Sequence, residues 1–261
     1  MEKIKCKHLD CKDTVYSNDL CKFHIDGGVF GTGETYEQYQ VLEEDFINFI
    51  KIIPLSDNRN MIVCSPVLRD LIIRCCVQIE IFFKEWAKFE CAKDDTLELA
   101  HIYNKGGKGV RNWNIRHYHY FKNKYIDERA LYVRELNIKI NPFSTWEVNS
   151  PPQWWQVYNS IKHGGLNSGN ECNLDNTLKS LSALFLLHCA NNYSRRYLEQ
   201  FNSIKAVQKT FGKIIINFDR IKTPLDSKKY LFQDVFGSAR SLEISDAEEI
   251  LLRANRNGKN V

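Results

Sequence analysis

Between Pro66 and Phe89, apolar side chains recur at alternating steps of four and three: Leu68, Ile72, Cys75, Ile79, Phe82, Trp86 and Phe89. A strand would alternate at two, so this period selects a long helix with a seam that other helices must cover. Ser65-Pro66 supplies the start, with a capping hydroxyl followed by a proline at the first helical position. A second stripe holds Ile73, Cys76, Glu80 and Phe83. Glu80 thus has apolar neighbours at i−4 and i+3, where a carboxylate needs a partner or becomes protonated. It reads either as a Glu at the edge of a helix contact, paired to arginine or water, or as part of a polar cluster facing another helix.

More helices follow from the same logic. Thr35 with Gln38 forms a capping box ahead of Tyr36, Tyr39, Leu42, Phe46, Phe49, Ile50 and Ile53, an amphipathic helix of about 17 residues. Pro54 and Asp57-Asn58 end it. Asn173 opens the most apolar helix, from Leu174 through Leu181 and Leu187 towards Phe201; few charges interrupt it before Arg195-Arg196, so its middle is buried on more than one side. His188 lies on its apolar stripe and reads as a hydrogen-bonded core histidine.

Residues 150–163 read as a short helix with both ends marked. Ser150 is the N-cap, Pro151 takes the first position, Gln153 completes a capping box, and Gly164-Gly165 stop it. Trp154, Val157, Tyr158 and Ile161 share one face; Gln156, Asn159 and His163 share another. A buried face and a polar stripe on one rigid helix suit a functional site, and Glu80 is the carboxylate that would face it.

The remaining segments are shorter. Leu136, Ile138 and Ile140 alternate with polar residues as a strand, and Leu131 with Val133 suggests another. Ile214-Ile215-Ile216 reads as a strand core, Tyr230-Leu231-Phe232 as an apolar patch, and Ser245 with Glu248 caps a last helix. Residues 113–125 interleave basic and aromatic side chains, a composition that can stack bases and neutralise phosphate. The helical spacing of Tyr118, Phe121 and Tyr125 favours packing inward instead. The glycine-rich loop at 104–112 is no P-loop, because no Gly-Lys-Ser/Thr opens a helix there. The fold expected is mainly α: a zinc knuckle at 1–28, a helical bundle at 34–202 with a few short strands, and an α+β extension at 203–261.

Composition narrows the classes. The 43% hydrophobic and 26% charged fractions are those of an ordinary globular protein. A net charge of +4 permits an acidic partner without demanding one. No apolar run reaches membrane-spanning length, and Met1-Glu-Lys-Ile-Lys-Cys6 is not a signal peptide. Nine cysteines, an odd number, point to thiols or metal ligands in a reducing compartment, so a cytoplasmic protein without a membrane is expected. Neither Gly-x-Ser-x-Gly nor His-Glu-x2-His occurs, which removes two hydrolase signatures.

Residues 150–187 resemble the signature of the HEPN-like (higher eukaryotes and prokaryotes nucleotide-binding) family. Ser65-Pro66 with Val77-Gln78-Ile79-Glu80, and Asn141-Pro142-Phe143-Ser144-Thr145-Trp146, fit the same pattern, so the resemblance spans roughly 36–202. It implies an α-helical bundle, often a homodimer, whose active members cut RNA without metal in bacterial or phage defence and toxin systems. The second stripe on 66–90 is the face expected to meet a second copy. The family's nuclease motif is Arg-x4-6-His, frequently Arg-Asn-x3-His. Asn159-Ser160-Ile161-Lys162-His163 matches Asn-x3-His, with Tyr158 where the arginine would stand. The resemblance thus implies candidate catalytic residues Glu80, Asn159, Lys162 and His163. His163 would handle protons, while Lys162 or a partner-chain cation would take the arginine's place beside the transition-state charge. Without the arginine, the other reading is an inactive zinc-containing sensor or adaptor that binds nucleic acid or protein, with His163 as a helix C-cap.

Cys6, Cys11, Cys21 and His24 give Cys-x4-Cys-x9-Cys-x2-His, a set of soft ligands suited to a tetrahedral structural Zn²⁺. The layout resembles small Cys-Cys-Cys-His zinc ribbons. With little apolar content of its own, this segment depends on metal to fold. His8, between the first two cysteines, competes with His24 or stands by. The purified chain is expected to carry equimolar zinc by atomic emission, and Cys21→Ser to lose it. A zinc-free wild type would remove this ligand set.

Overall fold

The computed structural model describes residues 28–93, 113–126, 129–133, 136, 138–164, 171–195, 205–206, 217–219 and 232–236. The expected zinc ligands Cys6, Cys11, Cys21 and His24, the glycine-rich stretch at 104–112, the strand core expected at 214–216 and the helix expected from Ser245 lie outside the described residues. The chain is mainly α. Its helices are α1 (Gly28–Gly31), α2 (Glu34–Ile50), α3 (Pro66–Lys93), α4 (Ile115–Phe121), α5 (Gln153–Gly164) and α6 (Leu174–Ala190). A 3₁₀ turn covers Asn58–Ile62, and α4 runs on into a π turn, Lys122–Ile126. The strands are β1 (Arg129–Val133), β2 (Ile138–Ile140), β3 (Lys205–Ala206), β4 (Asn217–Asp219) and β5 (Phe232–Phe236). Among the described residues, no helix is long and apolar enough to cross a membrane.

The seam on α3 behaves as its spacing requires. Ser65 Oγ accepts from the Leu68 amide at 3.1 Å, which starts the helix. Every seam residue from Leu68 to Phe89 is buried. The main cover is α6, with α2 packed on both. Asn173 caps α6 by accepting from the Asn176 amide at 2.9 Å. Polar Ser180 and Ser182 are accommodated inside because their hydroxyls donate back to the carbonyls of Thr177 and Lys179. Arg74 ties α2 to α3 through Asp45 at 2.8 Å. His188 is a buried core histidine, its Nδ1 2.7 Å from Ser194 Oγ and its ring edge-on to Tyr36 and Phe82.

Three ends differ from expectation. The N-cap of α2 is Gly33, whose φ of 81° needs a residue without Cβ; Thr35 therefore sits inside the first turn, and its hydroxyl caps nothing. Ser150 does not cap α5. The Pro151-Pro152 pair disfavours helical backbone at the residue before each proline. Ser150 instead exchanges backbone hydrogen bonds with Glu147 at 2.9 and 3.1 Å, and the helix starts at Gln153. Helix α6 stops at Ala190 rather than running towards Phe201. Asn191 Oδ1 accepts from the amides of Tyr193 and Ser194, which opens a new helical turn in place of a continued one.

The second flank of α3 is covered by aromatic rings. Phe83 stacks on Tyr118 of α4 with centroids 4.9 Å apart and planes 8° from parallel, and it meets the Trp146 ring at 5.9 Å. Phe143 touches Trp154 of α5 at 5.6 Å, and Trp154 Nε1 donates to the Pro142 carbonyl at 2.8 Å. Lys122 Nζ donates to the Trp146 carbonyl at 2.7 Å. The segment 141–146 thus joins α3, α4 and α5. Tyr118 and Phe121 point inward, as helical spacing implied for the basic-aromatic stretch. The strands form one antiparallel sheet in the order β2-β1-β5-β4-β3, with Leu131 opposite Ile140 on one side and Asp234 on the other.

Phe83→Ala is expected to cost about 3–5 kcal/mol in urea unfolding, the usual penalty for an emptied aromatic site. A wild-type midpoint would mean that the ring cluster does not hold α3 to α4.

Candidate functional site

Helix α5 carries most of the candidate residues, and its packing decides where each points. Trp154, Val157, Tyr158 and Ile161 are buried, as their spacing implied; Trp155 is buried too. Position 155 falls off the apolar face at ideal helical spacing, so the sequence pattern does not single it out. The ring has contacts of its own, at 5.7 Å to Trp154 and 5.4 Å to Tyr158. Asn159 is half-buried, and Lys162 and His163 are exposed in the last turn.

Two of the four candidates meet. Glu80 of α3 and Lys162 of α5 approach to 3.7 Å between Oε1 and Nζ, with side chains 25% and 48% exposed respectively. That distance exceeds a direct hydrogen bond but is within ion-pair range. The ammonium also lies 5.4 Å from the centroid of the Tyr158 ring, a cation–π contact. Glu80 is therefore in the polar cluster facing α5, and its partner is a lysine rather than an arginine. Asn159 and His163 share the helix with Lys162. Among the described residues, neither makes a side-chain hydrogen bond or ion pair.

Two phenols complete the surroundings. Burial, then the Glu80 charge, then Cys76 push the Tyr158 hydroxyl up to about 12. Tyr118 is pushed up as well, by burial first and then by Glu80. Among the described residues, the buried Tyr118 hydroxyl has no hydrogen-bond partner. Both phenols are thus neutral at ordinary pH and feel the carboxylate without neutralising it. Tyr118 was not legible as a neighbour of Glu80. Its helical spacing shows that it points inward, but not which helix it meets.

A second carboxylate on α3 is arranged differently. Glu90 is buried and accepts from the Tyr125 hydroxyl at 2.6 Å, with Lys124 Nζ 3.7 Å away. Lys124 donates to the Tyr120 hydroxyl at 2.8 Å. Burial and then the bond to Glu90 raise the Tyr125 phenol. For Lys124, burial acts downward, but the two tyrosines outweigh it and raise the ammonium. This closed network fastens the π turn to the end of α3. Its sequence signal was Glu90 directly after seam residue Phe89, at the margin of the buried face.

The face expected to meet a second copy is only partly open. Cys76 and Phe83 are buried, because α4 and α5 cover that flank. The exposed apolar residues on α3 are Val67, Val77 and Ile81. Val77 also borders a groove of about 260 Å³ with Gln38, Leu42, Ile73, Arg74 and Gln78. Among the described residues, no group of three or more His, Cys, Asp or Glu is arranged to hold a metal ion. No family model, curated protein or solved structure matches the chain.

Proposed function

We propose that this chain is a HEPN-like, RNA-directed protein, a metal-independent endoribonuclease of a bacterial or phage defence or toxin type. The observation that carries the reading is the approach of Glu80 to Lys162 on the helix that bears Asn159 and His163. In this reading Lys162 contacts a phosphate. His163, exposed in the last turn of the helix, moves the proton. The place of Lys162 supports its role as the substitute cation. Its ammonium lies 5.4 Å from the ring of Tyr158, the residue standing where the motif has arginine. A structural zinc at Cys6, Cys11, Cys21 and His24 would anchor the N-terminal segment without entering the reaction.

One observation favours a second reading, a zinc-containing module that binds nucleic acid or protein without cutting. Tyr158 is only 3% exposed, so the side chain at the arginine position is unable to reach a substrate. The two readings separate when a mixed RNA pool is incubated with the chain in magnesium-free buffer and cut sites are sequenced. The wild type is expected to give discrete cuts that His163→Ala loses. Cuts retained by the variant remove His163 from catalysis. An intact pool with a mobility shift that weakens steeply with salt points to the binding module.

A second copy of the chain is the protein partner in this reading, meeting through the exposed Val77 and Ile81 side of α3. Sedimentation velocity is expected to show a dimer at micromolar concentration, and a monomer throughout that range overturns the homodimer.

A further inference from the structure

The Glu80–Lys162 pair has a property that the proposed function does not use. Lys162 is the contact assigned to an RNA phosphate, yet at rest its charge is cancelled by a carboxylate 3.7 Å away. A phosphate arriving at Lys162 meets that carboxylate as a like charge. The carboxylate is also loosely held. Among the described residues it receives no hydrogen bond, and Lys162 is the one cation within ion-pair distance of it. The buried phenols of Tyr118 and Tyr158 lie close enough to feel its charge, yet among the described residues neither donates to it, and the Tyr118 hydroxyl has no hydrogen-bond partner. The contrast with Glu90 is direct, since that carboxylate is fixed by a 2.6 Å bond from Tyr125. A structural carboxylate on this helix is tied down, and Glu80 is not.

We infer that Glu80 masks Lys162: the pair is a charge-neutral resting state, and an RNA phosphate engages Lys162 by displacing the carboxylate. The inference rests on the RNA-directed reading above and adds a specificity element to it. An RNA strand anchored by its other phosphates supplies the local concentration needed to displace Glu80. Glu80 thus acts against binding, as a residue that restricts what engages the site, and does not position Lys162 for it.

The test is a double-mutant cycle on the full-length chain: wild type, Glu80→Gln, Lys162→Gln and the double variant. The probe is a fluorescein-labelled 2′-O-methyl oligouridylate, which lacks the hydroxyl that an in-line attack would use and so stays intact. Affinity is read by fluorescence anisotropy across a salt series, and thermal melts confirm that all four proteins fold. Glu80→Gln is expected to bind about threefold to fivefold tighter than wild type at low salt, the range of a partly exposed ion pair. Its logarithmic salt slope is expected to steepen by up to about 0.7, one further phosphate contact on a single strand. Lys162→Gln is expected to bind more weakly than wild type, and the gain from Glu80→Gln to shrink in that background. Weaker or unchanged binding by Glu80→Gln, or an equal gain with and without Lys162, overturns the mask while leaving RNA binding in place. Absence of binding by all four proteins overturns the RNA-directed reading and the mask with it.

Discussion

Helix α3 is buried along two flanks, and the rest of the described structure follows from that double burial. One flank is the seam from Leu68 to Phe89, closed by α6 and α2. The other carries Cys76 and Phe83, closed by the rings of Tyr118, Phe143 and Trp146. A helix gripped on both sides has no freedom to roll, because close-packed interiors accept little displacement. Glu80 lies between Cys76 and Phe83 on the second flank, one turn from each. Its position beside α5 is therefore dictated by core packing, and Lys162 meets it because Trp154, Tyr158 and Ile161 anchor α5 in the same core.

The two carboxylates of α3 show how burial sorts charged groups. Glu90 lies at the end of the seam, where full burial requires a strong donor, and Tyr125 provides one at 2.6 Å with Lys124 behind it. Glu80 keeps a quarter of its side chain in solvent and, among the described residues, does without a hydrogen bond. Water lowers the cost of such an arrangement and also weakens the pull of Lys162. Glu90 is in effect a fastener. Glu80 is held by an ion pair at 3.7 Å alone among the described residues.

Much of this was legible in the sequence because it depends on local spacing. The start at Ser65, the seam of α3, the cap at Asn173 and the buried face of α5 all rest on residues within one or two turns of each other. The failures are places where a cap had a competitor. Ser150 met two prolines, Thr35 stood behind a left-handed glycine, and Asn191 found amides ahead of it rather than a helix to continue. The contacts of the candidate site were legible only in part. Apolar neighbours implied that Glu80 needs a partner, but the identity of Lys162 and the presence of Tyr118 depend on how α3, α4 and α5 cross. No spacing within one helix encodes such a crossing.

The tyrosine at position 158 is the point on which the site turns. The backbone of α5 aims that position at the core, so any side chain there is enclosed by Trp155 and the flank of α3. An arginine at 158 would bring a guanidinium beside the Glu80 carboxylate and would consume that charge to offset its own desolvation. Tyrosine removes that requirement. Its ring fills the space, its hydroxyl stays protonated, and Glu80 is left for a cation approaching from the solvent side. Lys162, one turn further along, is that cation, its ammonium 5.4 Å from the tyrosine ring centroid and 3.7 Å from the carboxylate. In the HEPN-like reading proposed above, a buried tyrosine with an exposed lysine in place of the motif's arginine keeps a positive charge at the candidate site. That charge stands at the surface, 3.7 Å from the Glu80 carboxylate.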